Sequence, residues 1–170
     1  MMHNYSGVPM EVYEQELPDS LRSLELGEED EQALVAALHG LALSAQSGPA
    51  QRSLVSLLSV ARPALAIVPV LDLLMRRREE GWSPEWPDSY EWSILYALER
   101  ALDVFYLDPD ERFYADARVV AATLREHDPR AALDELAEMP NEPLADIAQN
   151  VRAIVDASIV QQGCGSSGLQ

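Results

Sequence analysis

The chain has 170 residues, a formal charge of −17 and 48% hydrophobic residues, the make-up of a globular domain with one substantial core. All twelve basic residues are arginine, which excludes lysine Schiff-base chemistry and the lysine of a phosphate-binding loop. A field of this sign repels nucleic-acid phosphates and anionic membranes and attracts basic proteins.

The charge is unevenly placed. Residues 1–31 carry nine acids and Arg22, residues 32–71 carry no acid and two arginines, and residues 72–170 carry twenty acids and nine arginines. Cys164 is the one cysteine, so a disulfide or thiolate metal cluster within one chain is excluded. The start, Met1 to Tyr5, lacks the basic and apolar regions of a signal peptide. The most apolar stretch, Leu54 to Met75, is interrupted by Arg62, Pro63, Pro69 and Asp72. It falls short of the ~20 uninterrupted apolar residues of a bilayer span. The expectation is a cytoplasmic protein with no membrane contact.

Residues 1–16 have no clear period and read as a loosely ordered lead-in. Pro18 to Leu26 reads as a short helix, with Leu17, Leu21 and Leu24 at helical spacing. Glu28 to Gln46 is predicted as a helix with the stripe Leu34, Leu38, Leu41 and Ala45, and with Val35 and Ala42 beside it. Glu28, Glu29, Asp30 and Glu31 favour the positive end of its dipole. Gly48-Pro49 ends it. Ala50 to Ala61 is the next helix, with Leu54, Leu57, Leu58 and Ala61 on one face. The following element is ambiguous: Pro63 can be its first helical residue, but Pro69 then kinks it. Ile67, Val70, Leu71 and Leu74 keep the period either way, and Arg76, Arg77 and Arg78 suit the negative end of the dipole before Gly81.

Gly81 to Ser89 reads as a turn. Tyr90 to Leu107 is helical on the stripe Ile94, Leu98, Ala101 and Phe105. Asp108-Pro109-Asp110-Glu111 has the cap, first-turn proline and capping-box acid of a helix start. That helix runs to about His127 over Phe113, Ala117, Val120 and Leu124. Asp128-Pro129 starts a shorter helix to Met139. Asn141 caps the last, from Glu142 to about Gln161, with Leu144, Ile147, Val151, Ile154 and Ser158 inward. Residues 162–170 read as a flexible Gly/Ser-rich tail, leaving 17–161 as a single domain. The fold class is therefore all-α, about seven helices and no β-sheet, as a compact orthogonal bundle or a short helical-repeat-like (α-solenoid) stack.

Catalytic and metal motifs are sought and not found. A di-iron bundle needs Glu-x-x-His pairs, but Ala36 precedes His39 by three and Leu124 precedes His127 by three. His39, inside an apolar helix, reads as a partly buried structural histidine. Glu126, His127 and Asp128 are adjacent and diverge on a helix. The expectation is no enzyme, no cofactor and no metal.

The aromatic turn is the singular feature. Trp82, Trp86, Tyr90 and Trp92 lie close together, interleaved with Glu85, Asp88 and Glu91 and stiffened by Pro84 and Pro87. Tryptophan and tyrosine dominate binding hot spots, and aromatic rings beside acids suit an arginine- or lysine-rich partner. Trp82, Glu85, Trp86, Asp88, Tyr90 and Glu91 are therefore the candidate partner-binding residues. The competing reading is that the tryptophans fold back as a lid over the core, Trp92 above all.

The expected function is an acidic protein–protein interaction module for a basic protein partner, with no direct nucleic-acid contact. In size and charge the chain resembles small acidic immunity and antitoxin proteins, which implies an inhibitor. The alternatives are a nucleic-acid mimic that blocks a DNA-binding protein, or a small-molecule-binding helical domain in which Arg62 and Arg76 to Arg78 hold an anion. The apolar run Leu54 to Leu74 also leaves room for a homo-oligomer.

Overall fold

The computed structural model describes residues 27–45, 48–83, 90–105 and 111–166. The expected lead-in over 1–16, the helix at Pro18 to Leu26 and the Asp108 cap lie outside these residues. So do Glu85, Trp86 and Asp88.

Among the described residues the chain is all-α. Helix α1 is Glu28–Ser44, α2 Gly48–Leu58, α3 Pro63–Glu80 and α4 Tyr90–Leu102, followed by a 3-10 turn at Asp103–Phe105. Helix α5 is Glu111–Glu126, α6 Arg130–Ala137 and α7 Glu142–Ser166. No strand occurs among the described residues. Helix α4 packs against α2, α3 and α7, and α3 packs against α1, α4, α5 and α6. In a solenoid each unit touches only its neighbours, so these contacts between sequence-distant helices make the fold a bundle.

Helix α3 is central because its N-terminal part, Pro63 to Met75, is apolar at every position but Asp72. Ala66, Ile67, Val70, Leu71, Leu73 and Leu74 are all buried, the pattern of a helix surrounded by others. Pro63 sits in its first turn, and the helix continues through the buried Pro69. Proline removes one backbone bond inside a helix; burial of the surrounding apolar side chains outweighs that loss here. Helix α4 contributes Ile94, Leu95, Leu98 and Leu102 to the same core. Helices α6 and α7 join it through Leu133, Leu136, Leu144, Val151 and Val155.

Two local expectations are corrected. In α1 the buried residues are Val35, Leu38 and Ala42, whereas Leu41 is 55% exposed. The helix is apolar at so many positions that two stripes fit its period, and packing on α2 and α3 selects the one through Val35. In α7 the helix continues past Gln161 to Ser166, into the residues expected to form a tail.

The caps follow the sequence more closely. The Asn141 side chain accepts the Leu144 N–H at 3.3 Å, as an N-cap does. The Asp128 carboxylate accepts the Arg130 N–H at 3.0 Å, while Pro129 occupies the cap position itself.

Candidate functional site

The candidate site lies where the C-terminus of α3, the N-terminus of α4 and the exposed side of α6 meet. Gly81 creates it. Its φ of +100° lies where side chains strain the backbone, and its N–H closes α3 on the carbonyls of Arg77 and Arg78 at 3.0 and 3.2 Å. The chain thereby leaves the helix abruptly and presents Trp82 beside α6.

Trp82 is partly buried and packs against the core. Its indole N–H donates to Glu135 Oε2 at 3.0 Å. The other oxygen of Glu135 accepts from Arg78 Nε at 2.9 Å and from its terminal nitrogen at 2.5 Å. Arg78, Glu135 and Trp82 thus form one surface unit in which a carboxylate is held from both sides. The Arg78 guanidinium, followed by the Trp82 N–H, keeps the Glu135 carboxyl below its ordinary range.

Behind this unit lies a second, interior one. Glu91 is fully buried. Its Oε1 accepts from Arg77 Nε at 2.7 Å and from the Ser83 N–H at 2.8 Å. Burial pushes the Glu91 carboxyl up, but the Ser83 N–H and Arg77 together hold it below its ordinary value. The Arg77 guanidinium also stacks over the Tyr90 ring, 5.6 Å from the centroid. That is cation–π distance. Burial raises the Tyr90 hydroxyl to about 12.

The structure therefore brings together Trp82, Tyr90 and Glu91 of the expected residues. Glu91 is directed inward, not toward a partner: a carboxylate in the core is stable only when paired, and Arg77 supplies the charge. Trp92 is also partly buried against the core, so the lid reading describes Trp82 and Trp92 as far as their burial goes. Sequence reasoning missed Glu135 and gave Arg77 and Arg78 another role, at the end of the helix dipole or in an anion site. The cation–π pairing of arginine with an aromatic turn was visible in principle, but the partner acid lies on a helix more than fifty positions away.

The arginines suggested as an anion site are engaged by the chain's own acids. Arg62 forms a two-pronged pair with the buried Asp116, at 2.9 and 2.7 Å, which raises its pKa against the opposing effect of burial. Its backbone N–H donates to Glu31 at 3.1 Å. Arg76 donates to Asp72 at 2.8 Å, and the same oxygen lies 2.7 Å from His39 Nε2. His39 thus has the structural role expected of it, joining α1 to α3. Burial opposes ionisation of Asp72, yet Arg76 and His39 hold its carboxyl below the ordinary range. Arg152 pairs with Asp134 at 2.9 Å and with Asp156, and Arg130 pairs with Asp128 at 2.6 Å.

A small cavity of about 30 Å³ lies between α1, α2, α3 and α4, lined in part by Leu43, Gln51, Arg76 and Tyr90. That volume admits about one water molecule. Among the described residues no group of three His, Cys, Asp or Glu side chains could hold a metal ion, and no helix is long and apolar enough to cross a membrane. No protein-family model, curated protein or solved structure matches the chain.

Proposed function

We propose that this chain is an acidic protein-binding module that engages a basic protein partner through the surface around Trp82 and Glu135. One observation carries the reading: the arginines of α3 and its N-cap are paired internally, while exposed acids are left to set the outward field. Arg62, Arg76, Arg77 and Arg78 each meet a carboxylate of this chain, whereas Glu29, Asp30, Glu79, Glu126, Glu138, Glu142 and Asp146 are exposed. A field of this kind steers a cationic partner and disfavours an anionic one. Trp82, anchored by its N–H and only partly buried, supplies the apolar contact that charge alone lacks. The narrower form of the reading is an inhibitor that neutralises a basic protein by covering its cationic surface.

The test is the rate of association with an arginine-rich peptide as salt rises. Exposed charges are screened beyond ~10 Å at 0.1 M salt. The expected result is a steep fall in association rate with salt and a smaller change in dissociation rate. Trp82→Ala is expected to speed dissociation. Association independent of salt, or affinity unaltered by Trp82→Ala, contradicts the reading.

A further inference from the structure

We infer that Glu135 and Trp82 form a binding site for an arginine guanidinium, and that the chain's own Arg78 occupies it until an arginine of a partner takes its place. The inference rests on the proposed function and adds the ligand group and the means by which the site is held ready.

The geometry is that of a recognition pair. Arg78 presents Nε and one terminal nitrogen to a single carboxylate oxygen. Both contacts are charge-assisted hydrogen bonds, the stronger class of such contacts. The second oxygen is fixed by the Trp82 N–H, so the carboxylate keeps its orientation when the guanidinium leaves.

The burial pattern separates this pair from its neighbour. Arg77 and Glu91 are an interior pair, with Glu91 wholly enclosed. Arg78 and Glu135 are 33% and 43% exposed, so solvent and an incoming side chain reach both. Exchange of one guanidinium for another at Glu135 conserves the charge and the hydrogen bonds, leaving only the weak intramolecular pair to be displaced. Arg78 also keeps Glu135 engaged in the absence of a partner, which limits binding of unspecific cations.

Calorimetric titration with a deca-arginine peptide at fixed ionic strength tests this on the full chain. Variants are Arg78→Ala, Arg78→Ala with Glu135→Gln, and Arg125→Ala. Arg125 is exposed on α5, so its removal makes the same change in net charge without touching the Arg78–Glu135–Trp82 contacts. An exposed pair contributes little, so Arg78→Ala is expected to tighten binding up to about fivefold. The gain should exceed that of Arg125→Ala and vanish in the double variant. A deca-lysine peptide should show a smaller gain. If Arg78→Ala and Arg125→Ala behave alike, the self-occupied site is wrong although the module reading stands. If the peptide binds none of the proteins, the module reading itself fails. A far-ultraviolet circular dichroism spectrum unchanged from the parent establishes that each variant is folded, and Arg78→Gln replaces Arg78→Ala if the latter is not.

Discussion

Arg77→Met isolates the interior half of the site. Glu91 has no exposed surface, and its Oε1 is shared by Arg77 at 2.7 Å and the Ser83 N–H at 2.8 Å. Methionine keeps the aliphatic bulk but leaves a buried carboxylate with a backbone N–H in place of a cation. Breaking one side of a buried pair costs about 3–5 kcal/mol. Loss of the stacking on Tyr90 adds about 0.5–1 kcal/mol. Arg77 is itself 21% exposed, so water reaches the vacated place and the lower end applies, about 3 kcal/mol. For a domain of this size that lowers Tm by about 6–12 °C. Urea unfolding followed by circular dichroism measures it. In the parent, Glu91 has a carboxyl depressed below its ordinary value of 4.5. Its contribution to stability is present above that value and is lost as pH falls through the depressed one. The gap between parent and Arg77→Met should therefore narrow in acid. Arg77→Met combined with Glu91→Met should recover most of the loss, because an apolar pair of similar volume substitutes well for a buried ion pair. A loss under about 1 kcal/mol at neutral pH would refute the assignment of Arg77 as the counter-charge to a buried acid.

Further outcomes follow from single residues. Gly81→Ala should cost about 1–3 kcal/mol through backbone strain at positive φ, because the space around Gly81 is open, and it should also weaken peptide binding by displacing Trp82; thermal unfolding and calorimetry read the two effects. Leu133→Ala, which empties a fully buried position at the contact of α6 and α7, should cost about 2–5 kcal/mol. Leu41→Ala, at an exposed position of α1, should stay within about 0.5 kcal/mol of the parent in the same urea titration. Asn141→Ala removes the cap of α7 and should cost about 1 kcal/mol, visible as faster amide exchange in the first turn of that helix.

The helix order was legible because the apolar spacing of each segment matches a single period and the breaks carry glycine, proline or a capping side chain. Asn141 illustrates this: one residue type at one position gives both the start of α7 and its bond to Leu144. The buried stripe of α1 was less legible, since leucine and alanine occupy both candidate faces and the difference is made by α2 and α3. Proline left α3 ambiguous: Pro63 begins the helix as its type allows, and the helix runs on through Pro69. In the candidate site, Trp82 and Tyr90 could be singled out by type, but the inward path of Glu91 depends on Arg77 one helix earlier. The Arg78–Glu135 pair was illegible for a related reason. Each is an ordinary surface residue, and only the packing of α3 on α6 brings them together.

The central claim is that the surface around Trp82 and Glu135 receives cationic side chains. Amide chemical-shift mapping of the isotope-labelled chain during titration with an arginine-rich peptide tests it residue by residue. The account predicts the largest shifts at Gly81, Trp82 and Ser83 and around Glu135, with the Trp82 indole N–H moving as the peptide binds. Shifts spread evenly over the exposed acids of α1 and α7, with the Trp82 indole unmoved, would contradict it.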